Sequence, residues 1–209
     1  MTETNRIDGR KARGQRTRDA IVTAMLDLVV DGEFTPSAQQ IAARAGVSVR
    51  SVYQHLVDLE SLYDEASTRG AEMIRSMATD VDPALPLTKR IEAFTVNRAT
   101  MLERTRPISR AGVLTGTTSA AVRENRQRLA DWTRQRVAAI FGAELATLPE
   151  PVAQGIVCAI DALSSASSWA YLRDTGYTPQ AAHQVMQVGI AALLAGARAE
   201  RPEPAADPS

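Results

Sequence analysis

The stretch from residue 37 to residue 62 restricts the fold more than any other part of the sequence, because it contains two short helical patterns separated by one glycine turn. Ser37 and Gln40 have the S-x-x-Q spacing of a capping box at the start of the first helix. Gly46 provides the left-handed residue that ends this helix, and Ser48 can cap the second helix two residues later. The apolar face of the first helix consists of Ile41, Ala42 and Ala45. Helices joined by so short a turn cross steeply, and the pattern therefore predicts a helix-turn-helix.

The second of these helices separates apolar from polar side chains. Its apolar positions recur at helical spacing and are Val49, Val52 and Leu56. The polar face carries Arg50, Ser51, Gln54 and His55, with Tyr53 alongside. Such a helix packs on its own domain by one side and offers hydrogen-bond donors and acceptors on the other, as a recognition helix does in the major groove. Double-stranded DNA is therefore the predicted partner.

These residues resemble the DNA-binding segment of TetR-like transcriptional repressors. The I-A-x-x-A-G-V-S pattern of that family is matched by residues 41–48, and its Y-x-H pattern is matched by residues 53–55. The motif covers about residues 15–65, and beyond it only length and helical layout are similar. Two positions depart from the family pattern: Leu56 stands in place of the usual phenylalanine, and Leu59 in place of the usual lysine.

The expected DNA contacts lie on this motif and on the basic segment before it. Arg50 can bind guanine through two hydrogen bonds, and Gln54 can do the same with adenine. The resemblance implies that Ser48, Tyr53 and His55 contact phosphates. The full set of predicted DNA-binding residues is Arg13, Arg16, Ser37, Gln39, Ser48, Val49, Arg50, Ser51, Tyr53, Gln54 and His55.

The N-terminal segment concentrates positive charge in a chain whose formal net charge is zero. Residues 1–18 contain six basic side chains against two acidic ones, Glu3 and Asp8. One interpretation is a solvated, disordered tail. Because the segment directly precedes the helix-turn-helix, we favour the other interpretation, a flexible basic arm over residues 1–14 that contacts phosphates irrespective of sequence.

Composition indicates a globular, intracellular protein. The 209 residues are 44% apolar and 23% charged, and the longest apolar run, residues 188–197, is too short to span a membrane. The termini show no signal-peptide pattern, and the single cysteine, Cys158, cannot form an internal disulfide. We therefore expect a cytoplasmic protein without membrane association.

No motif points to catalysis. The only histidines are His55, on the recognition helix, and His183, and the sequence has no metal-ligand spacing or phosphate-binding loop. Cys158 can be a small core residue or a nucleophile, and we favour the first because no base is adjacent to it. The sequence therefore predicts no enzyme activity, no catalytic residues, no metal and no cofactor.

Helical periodicity without any strand pattern predicts an all-α fold, with a three-helix head followed by a larger helical body. We expect helices over about residues 16–30, 59–79, 89–104, 107–114 and 120–141. Five arginines on the last of these, at positions 123, 126, 128, 134 and 136, indicate either a second nucleic-acid surface or a solvated face, and the solvated face is preferred. The expected domains are a helix-turn-helix domain at 15–57, an effector-binding and dimerisation domain at 58–198, and a disordered tail at 199–209.

Residues 151–197 carry only three formal charges, namely Asp161, Arg173 and Asp174. Two helices are predicted here, over about residues 152–172 and 179–197, and both are nearly uncharged on every side. A helix of this kind is buried on every side, and a symmetric four-helix bundle between two copies of the chain provides that burial. The resemblance also implies a homodimer through the last two helices.

A ligand site in the body is implied by the resemblance, and two charged residues make it more specific. Arg98 lies on the inward face of its helix, and Asp161 is the only charge between Glu150 and Arg173. A charge in such a setting requires a partner, a ligand or water. One hypothesis is a structural ion pair between the two residues or with groups near them. The other is a cavity for a mostly apolar effector, lined by Phe94, Arg98, Met101, Trp132, Asp161 and Trp169.

Taken together, these features predict a one-component regulator, and the resemblance to TetR-like proteins implies a repressor. It would bind a palindromic operator as a homodimer and be released by an unknown small-molecule effector. The alternative is a helical dimeric adaptor, or a regulator controlled by a protein partner, with weak or no specific DNA binding. The leucine at position 59 favours this alternative, and the polar face of the recognition helix argues against it.

Overall fold

A computed structural model describes the backbone of residues 3–199 and the side chains of residues 12–196. This part of the chain contains eleven helices and no strand, which confirms the predicted all-α fold. The helices are α1 (Glu3–Val30), α2 (Ala38–Ala45), α3 (Val49–Leu56), α4 (Leu59–Ser76), α5 (Leu87–Arg104), α6 (Arg106–Thr115), α7 (Ala120–Ile140), α8 (Gly142–Leu145), α9 (Glu150–Leu163), α10 (Ala166–Asp174) and α11 (Pro179–Ala199).

The first helix is longer than its apolar pattern indicates. We expected it to begin near Arg16, but α1 begins at Glu3, so the segment predicted to be a flexible arm is helical from that residue onward. The sequence of residues 3–14 has no apolar stripe, but extending an existing helix costs far less free energy than nucleating a new one. The predicted disordered tail at residues 199–209 lies outside the described residues, apart from Ala199.

One continuous helix was predicted over residues 152–172, and this prediction is wrong because the segment forms two helices. Helix α9 ends at Leu163 and α10 begins at Ala166. At the break, the Ser164 hydroxyl donates to the Ile160 carbonyl oxygen at 2.7 Å, and the Ser165 hydroxyl accepts from the Ser168 amide at 3.1 Å. Serine side chains that bond nearby backbone groups compete with the helix, which accounts for the interruption.

The chain divides into two compact units. The first comprises the described residues up to Ser76 together with Thr105–Arg128. Its core is built by α1 to α4, with Ile21, Val22, Val52 and Leu62 fully enclosed. This division does not follow the predicted boundary after residue 57. A three-helix head as a separate functional domain therefore stays a prediction.

The second unit comprises Met77–Arg104 and the described residues from Leu129 onward. Its core lies among α5, the second half of α7, and α9 to α11. Phe94 and Phe141 meet edge to face in this core, with ring centroids 5.8 Å apart. No helix in the described part of the chain has both the length and the hydropathy that crossing a membrane requires.

Candidate functional site

The turn between α2 and α3 has the predicted capping interactions. The Ser37 amide donates to Oε1 of Gln40 at 2.8 Å, and the Gln40 amide donates to the Ser37 hydroxyl at 3.3 Å, which completes the capping box. Gly46 ends α2 with a φ of 66°, a left-handed conformation that glycine adopts without steric cost. The Ser48 hydroxyl then accepts from the Ser51 amide at 3.1 Å. Local sequence therefore determines how α2 gives way to α3.

Helix α3 packs by one side only. Val52 is fully buried and Val49 and Leu56 are partly buried, as predicted. On the opposite side, Arg50 and Gln54 are exposed, and 57% of Tyr53 is accessible to solvent. His55 and Ser51 are partly buried on this helix.

Four polar side chains of α3 are not engaged elsewhere in the first unit. Arg50, Tyr53, Gln54 and His55 form no hydrogen bond or ion pair with any residue that the structure describes. Three arginines on neighbouring helices are paired, by contrast: Arg18 with Glu65, Arg44 with Asp31, and Arg69 with Asp19 and Glu65. The donors and acceptors of α3 thus remain available to a partner.

The other predicted DNA-binding residues fall into two groups. Arg13, Arg16 and Gln39 are exposed and make no side-chain hydrogen bond within the described residues. The hydroxyls of Ser37, Ser48 and Ser51 take part in the helix caps. The Ser37 hydroxyl donates to Oε1 of Gln40, and the hydroxyls of Ser48 and Ser51 lie 2.8 Å apart. Their first role is therefore to fix the start of each helix.

Glu60, in the first turn of α4, is a contact that the sequence reasoning missed. Its carboxylate accepts the Ala121 amide at 2.8 Å, at the start of α7. This hydrogen bond, assisted by the Ser119 hydroxyl, lowers the pKa of Glu60 below its ordinary value, against an opposing effect of desolvation. Helix α7 has no acidic residue in its own first turn, and that deficiency is the sequence signal that a carboxylate from another helix is needed there.

A small cavity of about 10 Å³ lies within the second unit, with space for roughly one water molecule. Its lining contains four of the six residues predicted to bind a ligand. The lining residues are Thr79, Val81, Phe94, Asn97, Arg98, Met101, Trp132, Thr133 and Arg136. Arg136 was expected on a solvated face. The i, i+4 spacing of Trp132 and Arg136 is the signal that places both side chains on one face of α7.

Arg98 is held by the break between α9 and α10. Its Nε donates to the Ser164 carbonyl oxygen at 2.8 Å. Burial lowers the pKa of Arg98 to about 10, and the positive charge of Arg136 acts in the same direction, whereas Asp161 opposes it. At neutral pH the guanidinium therefore still carries its charge.

Two residues predicted to line the ligand site do not reach this cavity. Asp161 pairs with Arg134, at 3.3 Å, so the hypothesis of a direct ion pair between Asp161 and Arg98 is wrong. The buried Trp169 donates from Nε1 to Oε2 of Glu103 at 2.8 Å. Both belong to the region where one continuous helix was expected. Trp169 lies beyond the break, so its direction does not follow the periodicity of α9, whereas Asp161 precedes the break and is occupied by Arg134.

An open apolar groove runs between α9 and α11. It is lined by Val152, Ile156, Ala159, Leu163, Gly189, Ala192, Leu193 and Gly196. Gly189 allows this packing within one chain, because a Cβ at that position would overlap the side chain of Leu163. Nearby on α11, 68% of Val188 is exposed. The apolar surface expected from the uncharged C-terminal sequence is thus present along one face.

No family model matches the chain, and no curated protein matches it in sequence. Solved structures do match its fold. A transcriptional regulator from Rhodococcus sp. Rha1 has 18% sequence identity and a TM-score of 0.68, and the match covers 86% of this chain and 96% of the other. A proposed transcriptional regulator from Pseudomonas aeruginosa PAO1 has 18% sequence identity and a TM-score of 0.62, and the match covers 88% of this chain and 93% of the other. The multidrug binding protein EbrR, complexed with imidazole, has 19% identity and a TM-score of 0.55, and the match covers 83% of this chain and 94% of the other. At these identities the likeness establishes a shared fold.

Proposed function

We propose that this chain is a TetR-like one-component transcriptional repressor that binds a palindromic operator as a homodimer. The observation that carries the proposal is the set of exposed and unengaged side chains on α3, namely Arg50, Tyr53 and Gln54, next to a helix start that Gly46 and Ser48 fix locally. A shared fold with a transcriptional regulator supports it. In this proposal α3 enters the major groove, with Arg50 and Gln54 reading bases.

The proposed dimer forms through α9 and α11. The groove on these helices contains only apolar or small residues, and such a surface is stabilised when another copy of it is buried against it. Two copies joined in this way present two recognition helices to successive turns of one face of the DNA.

The proposed effector site is the cavity of the second unit, which combines aromatic and apolar side chains with a few polar groups. Binding there would change the separation of the two recognition helices in the dimer, away from about one turn of DNA, and so release the operator. EbrR, whose fold is shared, is a multidrug binding protein.

A gel-shift experiment tests the central claim. Purified protein is titrated into DNA that flanks its own gene, with an unrelated fragment of equal length as competitor. A discrete shifted band that resists the unrelated competitor is the expected result. Equal competition by both fragments at physiological salt would contradict specific operator binding.

Substituting Arg50 with alanine is expected to weaken operator binding by about 1 to 3 kcal/mol and to relax the preference at one base pair in each half-site. The reason is that a guanidinium able to form two hydrogen bonds with guanine is removed. Fluorescence anisotropy with operator variants measures both effects.

Arg44→Ala is the matched control, because Arg44 is also on the helix-turn-helix but its guanidinium pairs with Asp31. It should leave operator preference unchanged. If Arg50→Ala instead lowers specific and non-specific binding equally, Arg50 contacts phosphate and the assignment of base reading to it is wrong.

A protein-binding adaptor is the second candidate, and one observation favours it. Val57 is 89% exposed and Leu59 is 39% exposed, directly after α3. Apolar side chains beside a recognition helix can serve a protein partner in place of a phosphate contact. Failure of the gel shift, together with loss of a co-purifying partner in Val57→Ser, would support this alternative.

A further inference from the structure

The charged residues that line the cavity of the second unit are all positive. Two of its nine lining residues, Arg98 and Arg136, carry a guanidinium, and none of the nine carries a carboxylate. The remaining lining residues are apolar, aromatic or neutral and polar. An internal space with this composition attracts an anion and repels a cation.

Several of the neutral polar groups are already occupied. The Asn97 amide donates to the Met77 carbonyl oxygen at 3.0 Å and accepts the Thr79 amide at 3.2 Å. The Thr133 hydroxyl donates to the Leu129 carbonyl oxygen at 3.1 Å. These groups stabilise the walls and leave recognition to the arginines.

The guanidinium of Arg98 has donors that are not used within the described residues. Its Nε bonds Ser164, but its two terminal nitrogens have no hydrogen-bond partner among the residues that the structure describes. Asp161, which acts on it electrostatically, forms its ion pair with Arg134. This guanidinium is partly enclosed, has two nitrogens free to donate and lies near another positive charge. An anion is therefore the partner that would stabilise it most.

Arg136 is held at the second side of the cavity. It bonds Asp80 at 3.2 Å and the Thr79 carbonyl oxygen at 2.6 Å, and its guanidinium carbon lies 5.2 Å from the centroid of the Trp132 ring. The Asp80 side chain is fully exposed, so solvent screens this pair. This exposed carboxylate therefore does not cancel the positive charge that Arg136 places beside the cavity.

We infer that this cavity binds a small organic carboxylate, with the acid group paired by Arg98 and Arg136 and an apolar or aromatic body against Phe94 and Met101. The inference rests on the proposed function, because it assigns a chemical class to the proposed effector site. It excludes cationic ligands, for which the two guanidinium groups are repulsive. The cavity has space for roughly one water molecule, so binding requires the side chains around it to move and admit the body of the ligand.

Matched ligands test the inference directly. Isothermal titration calorimetry is run on the full chain, without DNA, using benzoate, phenylacetate and hexanoate, each beside its amide and the corresponding amine. At least one acid is expected to bind about tenfold or more tightly than its amide, since charge-assisted hydrogen bonds are the strong ones. No preference for any acid over its amide, or a preference for the amine, would overturn the inference.

Substitutions of the two cavity arginines test whether the acid binds in this cavity. Arg98→Met is expected to reduce affinity for the preferred acid about tenfold or more and to leave the amide unaffected. Arg128→Met is the matched control, because Arg128 is an exposed arginine on the same helix as Arg136 but does not line the cavity. If Arg98→Met does not fold, Arg136→Met takes its place with the same expected loss. An acid that binds both Arg98→Met and Arg136→Met as tightly as the parent binds elsewhere, and the inference is wrong.

The gel shift separates this inference from the proposed function. Specific DNA binding without any acid preference in calorimetry leaves the repressor proposal standing and removes the carboxylate site. An acid bound through Arg98 by a protein that binds no operator leaves the site standing and removes the repressor proposal.

Discussion

Replacing Arg90 with methionine is expected to lower the free energy of unfolding by about 3 to 5 kcal/mol, the cost of removing one partner from a buried ion pair. Arg90 and Glu144 are only 4% and 7% exposed. The guanidinium donates to both carboxylate oxygens of Glu144, at 2.7 and 2.8 Å, and this pairing raises the pKa of Arg90 above its ordinary value. It also donates to the carbonyl oxygens of Leu85 and Ile140 at 2.9 and 2.7 Å. The substitution therefore leaves a buried carboxylate and two carbonyl oxygens without the guanidinium that donates to them.

Urea unfolding followed by circular dichroism measures this loss. The double variant Arg90→Met with Glu144→Met should recover most of it, because the buried charge is then removed with its partner. Lys89→Met is the exposed control: its ion pair with Glu92 lies in solvent, and near-parent stability is expected. If Arg90→Met is as stable as Lys89→Met, the buried pair does not stabilise this unit.

A glutamate at Ala192 is expected to convert the proposed dimer to monomer, with the dissociation constant raised by about 100-fold or more. Ala192 lines the apolar groove and is exposed in the single chain, so the substitution leaves the chain's own core intact. Against a second copy, the carboxylate would be buried without a counterion, which costs several kcal/mol. Operator affinity should fall with it, since one recognition helix binds alone.

Sedimentation equilibrium gives the dissociation constant, and the gel shift gives operator affinity. Ala139→Glu is the matched control, an identical exchange at an exposed position on α7 outside the groove. Gly189 is a poorer test position, because any side chain there meets Leu163 within the same chain. A dimer that is equally tight in Ala192→Glu and in the parent would place the interface elsewhere.

The helix-turn-helix was predictable in detail because its determinants are local. Ser37 with Gln40, Gly46 and Ser48 each act on residues three or four positions away, and sequence displays such spacing directly. The start of α1 was not predictable from apolar periodicity, because the sequence of residues 3–14 has no apolar repeat that would reveal a helix.

The cavity was predictable only in part. Phe94, Arg98 and Met101 lie on one unbroken helix, where periodicity assigns the inward face correctly. Trp169 lies beyond the serine-rich break at 164–165, so its direction does not follow the periodicity of α9. Asp161 was predicted to line the cavity because it is an isolated charge in the sequence, and sequence does not show that it pairs with Arg134. Arg136 was missed because a run of arginines resembles a solvated face, and only packing distinguishes the one that points inward.

The interruption between α9 and α10 also has a consequence for how specificity can diverge. The Ser164 carbonyl, released from the helical ladder, sits at the negative end of α9 and orients Arg98 through a single bond. A substitution at Ser164 or Ser165 that rejoins the two helices would withdraw that acceptor and turn the guanidinium elsewhere. In the proposed carboxylate site, chemical preference would therefore depend on residues that do not contact the ligand, even with every side chain on the cavity wall unchanged.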